Sequence, residues 1–487
     1  MRHLRLLTAA LIALATPGCE RRPDDLAVTV SVIGGNPGLR SSAEGRLPEP
    51  SRVYTAAIAQ GLVRYDGAGG VVPGLAERWI VTDGGRSYIF RLRPAQWADA
   101  SPVTAKQVVD SLTRTIGPRS RTPLEPFLAV IDEVVEMTPQ VIEVRLKRPR
   151  PDLLKLFAQP ELAIVRAGDP SGTGPFRTVP GRPGWRALRP ADDMAEAGAE
   201  EPAADENETV LLRGERAASA IVRFVARQSD LVLGGSFRDL PLLTHAQVPP
   251  ANIRIDPAAG LFGLAIVSRE GFLATAENRR AIAMAIDRPA LTALFRPDWQ
   301  PVETLLSGRL DSAAEPTIPQ WQALPFAERQ ALARSRVDAW RADHRDGSLA
   351  IRIAMPDGPG ATLAWGRIAR DLRDIGLQPY RVGMRAPAEL RLIDEVAPYD
   401  SGRWYLVTAC RSCPDDLTTL IDAARDAETL PERSARIAAA DLAVSEDGAY
   451  IPIAQPLRWS LVAVRLQAWQ ENGPAWHPLT HLRSAQP

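Results

Sequence analysis

The stretch from residue 61 to residue 116 constrains the fold of this chain more than any other part of the sequence. Apolar and polar residues alternate over Ser87 to Arg93, which is the period-two pattern of a half-buried β-strand. Thr104 and Gln107 then have the spacing of a helix capping box, and apolar residues recur at helical spacing from there to Ile116. Because periodic apolar positions are usually core, this stretch identifies the fold and not a site.

A second stretch predicts how strands and helices are combined. Ile351 to Ala354 reads as a strand, Ala361 to Ile375 as a helix that ends at Gly376, and Leu377 to Val382 as the next strand. Such a strand-helix-strand unit implies a sheet with helices packed on its faces. The sequence therefore predicts an α/β protein.

Length and charge limit the classes of function. A chain of 487 residues can bury a large core and is expected to divide into at least two domains. Its 58 basic residues are balanced by 58 acidic ones, so no electrostatic reason exists to expect nucleic acid, which requires clustered basic surface. The motifs G-x-S-x-G and H-E-x-x-H are absent from the sequence, so we expect no catalytic residues, no enzyme and no cofactor.

Residues 1–19 have the pattern of a lipoprotein export signal. A basic start precedes an apolar run from Leu6 to Ala15, and small residues then lead to Cys19. The run is about half of the roughly 20 apolar residues that a membrane-spanning helix needs. We expect removal of the signal, lipidation of Cys19 and attachment to a membrane surface in the periplasm or cell envelope. Ordinary secretion is the alternative, because Thr16 and Pro17 depart from the usual pattern.

The three cysteines agree with an exported protein. If Cys19 carries lipid, Cys410 and Cys413 remain, and an oxidising compartment favours a disulfide between them. A redox-active pair is the alternative, although Pro414 follows directly where such pairs normally open a helix. A metal site is not expected, since the five histidines are scattered without ligand spacing around the pair.

Several motifs resemble one family in the order in which that family carries them. They are Gly61 to Tyr65, Leu75 to Trp79, Tyr88 to Arg93, Trp97 to Asp110, Gly172 to Phe176, Asn278 to Arg280, Ala285 to Arg288 and an apolar segment, interpreted as a strand, that ends at Cys410. The chain resembles the extracytoplasmic solute-binding proteins of oligopeptide and dipeptide ABC importers, solute-binding protein family 5. The motifs cover most of the mature chain, and they are specific for the family and not for a ligand.

The resemblance implies a two-lobed periplasmic-binding-protein-like fold of the class II type, with mixed sheets, discontinuous lobes and an extra subdomain in the first lobe. The expected division is a signal at 1–19, the main part of the first lobe at 20–258, the second lobe at 259–448 and a return segment to the first lobe at 449–487. Two hinged lobes that close on a ligand bury it from water. The implied function is binding of a peptide or peptide-like solute and delivery to the permease subunits of an ABC importer.

The resemblance also suggests where a ligand amine would bind. Many peptide-binding members end a second-lobe strand with an aspartate that pairs with the peptide α-ammonium, because a buried charge needs a partner. Cys410 occupies the corresponding place in this chain. Either Asp415 or Asp416 takes over that role, or the ligand is not a conventional peptide with a free amine.

Five further residues are candidates for the ligand site. Arg403 and Arg411 flank the expected strand and could receive a carboxylate, with a solvated surface position as the alternative. Trp404 and Trp365 could form walls of the cleft, with core packing as the alternative. Asn36 lies in a glycine-rich break after the first strand, where the backbone could approach a ligand or simply turn.

Two other classes of function stay open at this level. A binding protein that is uncoupled from transport, acting as a sensor or scaffold, would keep the same sequence pattern. A secreted hydrolase would require turnover of a substrate, for which the sequence offers no motif.

Overall fold

The computed structural model describes residues 27–150, 153–166, 172–191, 209–480 and 482. The expected signal and Cys19 lie outside these ranges. Within them, no helix combines the length and the apolar composition needed to cross a bilayer.

Strands of the described chain fall into three main sheets and one short hairpin. In chain order they are β1 (Val28–Ile33), β2 (Val63–Tyr65), β3 (Val71–Pro73), β4 (Ala76–Thr82), β5 (Ser87–Leu92), β6 (Ile131–Thr138), β7 (Val141–Leu146), β8 (Phe176–Val179), β9 (Arg186–Pro190), β10 (Val210–Glu215), β11 (Leu231–Ser236), β12 (Ile253–Asp256), β13 (Gly260–Ile266), β14 (Ala350–Ala354), β15 (Gln378–Val382), β16 (Leu390–Val396), β17 (Tyr450–Ala454) and β18 (Arg458–Val462).

Helices pack on these sheets. In chain order they are α1 (Glu49–Ile58), α2 (Ala105–Ile116), α3 (Glu125–Leu128), α4 (Leu154–Phe157), α5 (Ala217–Val225), α6 (Pro241–His245), α7 (Ala276–Ala285), α8 (Arg288–Ala293), α9 (Phe326–Asp343), α10 (Pro359–Asp374), α11 (Gly402–Ala409), α12 (Asp415–Asp426) and α13 (Leu430–Asp447).

Two mixed sheets form the centre of the protein. The first sheet has seven strands in the order β12-β18-β11-β1-β10-β9-β8, with β1 parallel to both β10 and β11. The second sheet has five strands in the order β15-β14-β16-β13-β17, with β14 parallel to β15 and β16. The strand-helix-strand unit expected at residues 351–382 is confirmed as β14, α10 and β15 in parallel register.

A four-stranded antiparallel sheet, β4-β5-β7-β6, lies between β1 and β10 in the sequence. The expected alternation in β5 is confirmed for Tyr88 and Phe90, which are fully buried, and for Arg91, which faces solvent. Ser87 is buried as well, and its Oγ donates to Glu143 Oε1 at 2.7 Å. The capping box that opens α2 is also confirmed, since Gln107 N donates to Thr104 Oγ1 at 3.3 Å and Thr104 N donates to Gln107 Oε1 at 3.0 Å. The buried residues of this sheet belong to the same apolar cluster as those of β1 and β10.

The chain passes between the two central sheets twice. It leaves the first sheet at residues 257–259, between β12 and β13, and returns at residues 455–457, between β17 and β18. The expected return at residue 449 is too early, because β17 pairs with β13 inside the second sheet and buries Ile451 and Ile453 there. Gly260 N donates to Gln455 Oε1 at 2.8 Å, so a hydrogen bond joins the two crossings.

The segment that ends at Cys410 is a helix, α11, and not the strand that the sequence suggested. Asp311 fixes its start, since its carboxylate accepts hydrogen bonds from Gly402 N at 2.7 Å and Ser401 Oγ at 2.9 Å. The helix is buried on nearly all sides. A short apolar run that is buried all round has no amphipathic period, so periodicity alone does not separate strand from helix there.

Close packing between β11 and β18 gives a test of the fold at Gly235. A Cβ atom at this position would meet the Trp459 ring at 2.2 Å and its carbonyl oxygen at 2.5 Å. We expect Gly235→Ala to lower the free energy of unfolding by about 2 kcal/mol, measured by urea denaturation. Gly366→Ala is the control, because nothing lies within 4 Å of its Cβ in α10, and it is expected to stabilise by about 0.5 kcal/mol. Equal effects of the two substitutions would contradict this packing.

Candidate ligand-binding cleft

A cavity of about 630 Å³ lies between the first and second sheets. Its floor on one side is formed by the ends of the parallel strands β1 and β11 together with the start of β18. The end of β16 and the residues that follow it, 394–398, form the facing wall. In open α/β sheets ligands bind outside the carboxyl ends of strands, so this cavity is the candidate site and is called the cleft below.

Aromatic side chains form much of the apolar wall of the cleft. Trp459, Trp476 and Trp404 are each almost fully buried, and Tyr65 lies with them. Trp459 is held in place because its Nε1 donates to the Ser236 carbonyl at 2.9 Å. Such rings give large, rigid contact area to a bound solute.

Charged side chains line the cleft as well, and carboxylates outnumber guanidinium groups six to four. The carboxylates are Glu49, Glu161, Asp239, Asp256, Asp394 and Glu395, and the guanidinium groups are those of Arg46, Arg52, Arg238 and Arg458. His477 also contacts the cleft. The excess of negative charge favours a ligand that carries positive charge.

Several of these charges are paired within the first-sheet side of the cleft. Arg52 lies 2.9 Å from both Glu49 and Glu161 and stacks over the Trp476 ring at 5.0 Å. Burial opposes the charge of Arg52, but the two carboxylates outweigh it and raise its pKa above the ordinary value. His477 Nε2 lies 3.0 Å from Asp256 Oδ2.

Among the described residues, two ion pairs join opposite sides of the cleft. Arg458 of β18 donates to Asp394 of β16, with 2.7 Å to Oδ1 and 3.1 Å to the backbone carbonyl. Arg46 lies 3.2 Å from Glu395. The side chains of Arg458 and Asp394 are largely buried, whereas that of Arg46 is 69% exposed. The Arg458–Asp394 pair is therefore the stronger connection across the cleft.

Asp239 differs from the other carboxylates of the cleft. It lies in the turn between β11 and α6 and is only 9% exposed. Across the described ranges, no donor or basic group forms a hydrogen bond or ion pair with its side chain, although Arg238 is its sequence neighbour. Burial raises the pKa of the Asp239 carboxyl above its ordinary value, against the opposing charge of Arg238.

Of the eight residues that the sequence suggested for ligand contact, Trp404 lines the cleft. Asn36 is exposed in the segment after β1 and lies outside the cleft lining, although nearby Gly34 is part of it. Trp365 is half-buried on α10 and packs on the apolar cluster that includes the second sheet. Arg403 is buried away from the cleft, where its Nη1 donates to the Pro126 carbonyl at 2.9 Å.

The remaining four suggested residues lie around the end of α11. Cys410 and Cys413 form a disulfide with their Cα atoms 5.4 Å apart. Arg411 is exposed and its Nη2 lies 3.7 Å from Glu395, so it approaches the cleft wall without lining the cleft. Asp415 and Asp416 are exposed in the first turn of α12, outside the lining.

Sequence reasoning missed the charged residues that do line the cleft. Asp394 and Arg458 lie on different sheets and are far apart in the chain, so no local pattern joins them. A signal existed near Asp239, because Gly234 and Gly235 interrupt the apolar part of β11, and glycines inside a strand mark a bulge or a close approach of the backbone. The described ranges contain no group of three or more His, Cys, Asp or Glu residues that could hold a metal ion.

Comparison with known protein families shows to which family the chain belongs. The model for "Bacterial extracellular solute-binding proteins, family 5 Middle" matches residues 70–378, more than half of the chain. The chain belongs to this family. The relationship that the sequence motifs suggested is therefore confirmed.

Curated relatives match parts of the chain. The Escherichia coli periplasmic murein peptide-binding protein MppA is 25% identical over 304 residues, covering 53% of this chain and 56% of MppA. The Escherichia coli periplasmic oligopeptide-binding protein OppA is 31% identical over 142 residues, covering 26% of each chain. The matched regions span about a quarter to about half of the length of these family members.

Solved structures show the fold over almost the whole chain. The structure of Escherichia coli MppA superposes with a TM-score of 0.76 at 18% identity, covering 94% of this chain and 97% of MppA. Burkholderia pseudomallei OppA gives a TM-score of 0.75 at 17% identity, covering 94% and 98%. The predicted two-lobed α/β periplasmic-binding-protein fold with mixed sheets is confirmed. We call the parts around the first and second sheets the first and second lobes.

The unliganded open form of MppA superposes less well, with a TM-score of 0.65 at 18% identity and coverage of 94% and 96%. The ion pairs across the cleft agree with lobes that lie close together.

The disulfide is tested by the double substitution Cys410→Ser and Cys413→Ser. Closing so short a loop restricts the unfolded chain modestly, so we expect a loss of about 2 kcal/mol in the free energy of unfolding. Reductant should lower the melting temperature of the wild-type protein and leave that of the double variant unchanged. An unchanged melting temperature, together with two fewer free thiols in the double variant than in the wild-type protein under oxidising conditions, would contradict the disulfide.

The pair across the cleft is tested by Asp394→Asn, which keeps the size of the side chain and removes its charge. We expect a cost to the closed arrangement of about 2 kcal/mol, seen as a larger radius of gyration of the ligand-free protein in small-angle X-ray scattering. Arg46→Gln is the matched control, because its pair with Glu395 is exposed and should contribute little. An equal expansion in both variants would show that the Arg458–Asp394 pair has no special role.

Proposed function

We propose that this protein binds a peptide or peptide-like solute between its two lobes outside the cytoplasm and delivers it to the permease subunits of an ABC importer. The observation that carries the proposal is the cleft itself, which is walled by both lobes and lies at the ends of β1 and β11. Its volume of about 630 Å³ is within the usual range for sites that bind small molecules.

The chemistry of the cleft suits a short peptide. Trp404, Trp459 and Trp476 offer apolar faces, while Glu395 and Arg238 place opposite charges on the two lobes. A peptide presents both apolar side chains and charged ends, so a mixed lining of this kind can bind it. The relatives MppA and OppA are named for binding murein peptides and oligopeptides, which supports the same class of ligand.

The fold provides a mechanism of capture and release. The two crossings, at 257–259 and 455–457, are where the chain can bend as the lobes move apart. A ligand that contacts both lobes favours the closed state, because it binds that state more tightly than the open one. The importer would then distinguish closed from open protein, and no bond of the solute is made or broken.

The proposed location is the periplasm or cell envelope. Lipidation of Cys19 would attach the protein to a membrane surface, next to the importer that it serves. The proposal includes no cofactor and no catalytic residue.

Peptide binding is tested with the purified mature chain and a panel of tripeptides, starting with Ala-Ala-Ala. We expect at least one peptide at about 100 times its Kd to stabilise the protein by roughly 2.7 kcal/mol and to change its tryptophan emission. The emission change should shrink in Trp404→Phe, which alters the cleft, and persist in Trp365→Phe, the control outside it. Absence of any stabilising peptide, or an emission change that depends on Trp365, would refute binding in the cleft.

Delivery is tested separately in cells. Deletion of the gene for this chain should reduce uptake of the bound peptide, and restoring the chain should recover it. Unchanged uptake would favour a sensor or scaffold that uses the same cleft.

A further inference from the structure

Among the described residues, one largely buried carboxylate of the cleft, that of Asp239, forms no hydrogen bond or ion pair. The buried aspartates of the described chain are Asp230, Asp239, Asp256, Asp371 and Asp441. Four of these accept hydrogen bonds or pair with a basic group, and Asp239 is the exception.

The contrast with neighbouring carboxylates is direct. Asp230, at the other end of β11, accepts from Arg465 Nη2 at 2.7 Å and from Thr29 N at 2.8 Å. Asp256 accepts from Asn472 N at 3.0 Å in addition to its contact with His477. Both aspartates therefore receive hydrogen bonds from the protein, and among the described residues Asp239 receives none at its side chain.

A buried carboxylate without a partner is costly. Removing a charge from water loses its hydration, and only hydrogen bonds or an opposite charge replace that loss. Arg238 does not provide the replacement, because its side chain is exposed and forms no ion pair in the described structure. Asp239 lines the cleft, so a group bound there lies within reach of it.

The other charges of the cleft support the same reading. Arg52 and Arg458 are already paired with carboxylates, and Arg46 pairs with Glu395. The cleft lining as a whole has more carboxylates than guanidinium groups. A ligand with a positively charged group would balance this excess, and Asp239 is the carboxylate that is free to receive it.

We infer that Asp239 binds a primary ammonium group of the solute. This rests on the proposed function, and it adds the class of ligand group and the residue that receives it. In a peptide the ammonium can be the α-amino group or the side chain of lysine. Both give a charge-assisted hydrogen bond to a carboxylate, so the probes must separate them.

The test compares Asp239→Asn with Asp346→Asn, an exposed aspartate outside the cleft lining. Isothermal titration calorimetry uses three probes: Ala-Ala-Ala with an α-ammonium, N-acetyl-Ala-Lys-Ala with a side-chain ammonium, and N-acetyl-Ala-Ala-Ala with neither. We expect Asp239→Asn to weaken binding of at least one ammonium probe by about tenfold or more. The fully acetylated probe should bind equally to the variant and the wild-type protein, and Asp346→Asn should match the wild-type protein throughout.

A second measurement separates this role from a structural one. Because Asp239→Asn removes an unpaired buried charge, the melting temperature of the ligand-free variant should be equal to or higher than that of the wild-type protein. A lower melting temperature together with equal weakening of all three probes would overturn the inference.

The outcomes also separate this inference from the proposed function. If the wild-type protein binds the probes and Asp239→Asn binds them equally well, peptide binding stands and the role of Asp239 is refuted. If the wild-type protein binds none of the probes or tripeptides, the peptide proposal fails, and the inference fails with it.

Discussion

The double passage of the chain between the two sheets is the constraint on which the rest of the structure depends. Residues 257–259 and 455–457 are the connections that join β12 to β13 and β17 to β18. The hydrogen bond from Gly260 N to Gln455 Oε1 holds these connections side by side. As a result, the lobes share one border, and the cleft opens along it.

Charged residues along this border have two roles: one pair joins the lobes, and one carboxylate is available to a ligand. Arg458 and Asp394 join the lobes through a largely buried pair, so the closed arrangement has its own stabilising contact. Asp239 lines the same cleft without a hydrogen bond or ion pair from any described residue, and an ammonium bound there would balance its charge. Closure and ligand binding are then linked, since a ligand that contacts both lobes shifts the population toward the closed state.

Much of the fold could be predicted from the sequence because its signals are local. The alternation of Tyr88 and Phe90 and the capping box of Thr104 involve residues that are neighbours in the chain. The prediction of a strand before Cys410 was wrong because the segment is short and buried on nearly all sides, so it has no amphipathic period. With a helix there, Arg403 donates to the Pro126 carbonyl and lies outside the cleft lining.

The sequence by itself determined the family, the α/β class and the order of the main strands and helices, because local patterning and short motifs specify these. Only the tertiary structure decided which residues meet in the cleft. Asp394 and Arg458 come from two sheets. Asp239 is distinguished by its burial and because no described residue pairs with its side chain. Burial and pairing are properties of three-dimensional packing, so the spacing of residues in the chain does not predict them.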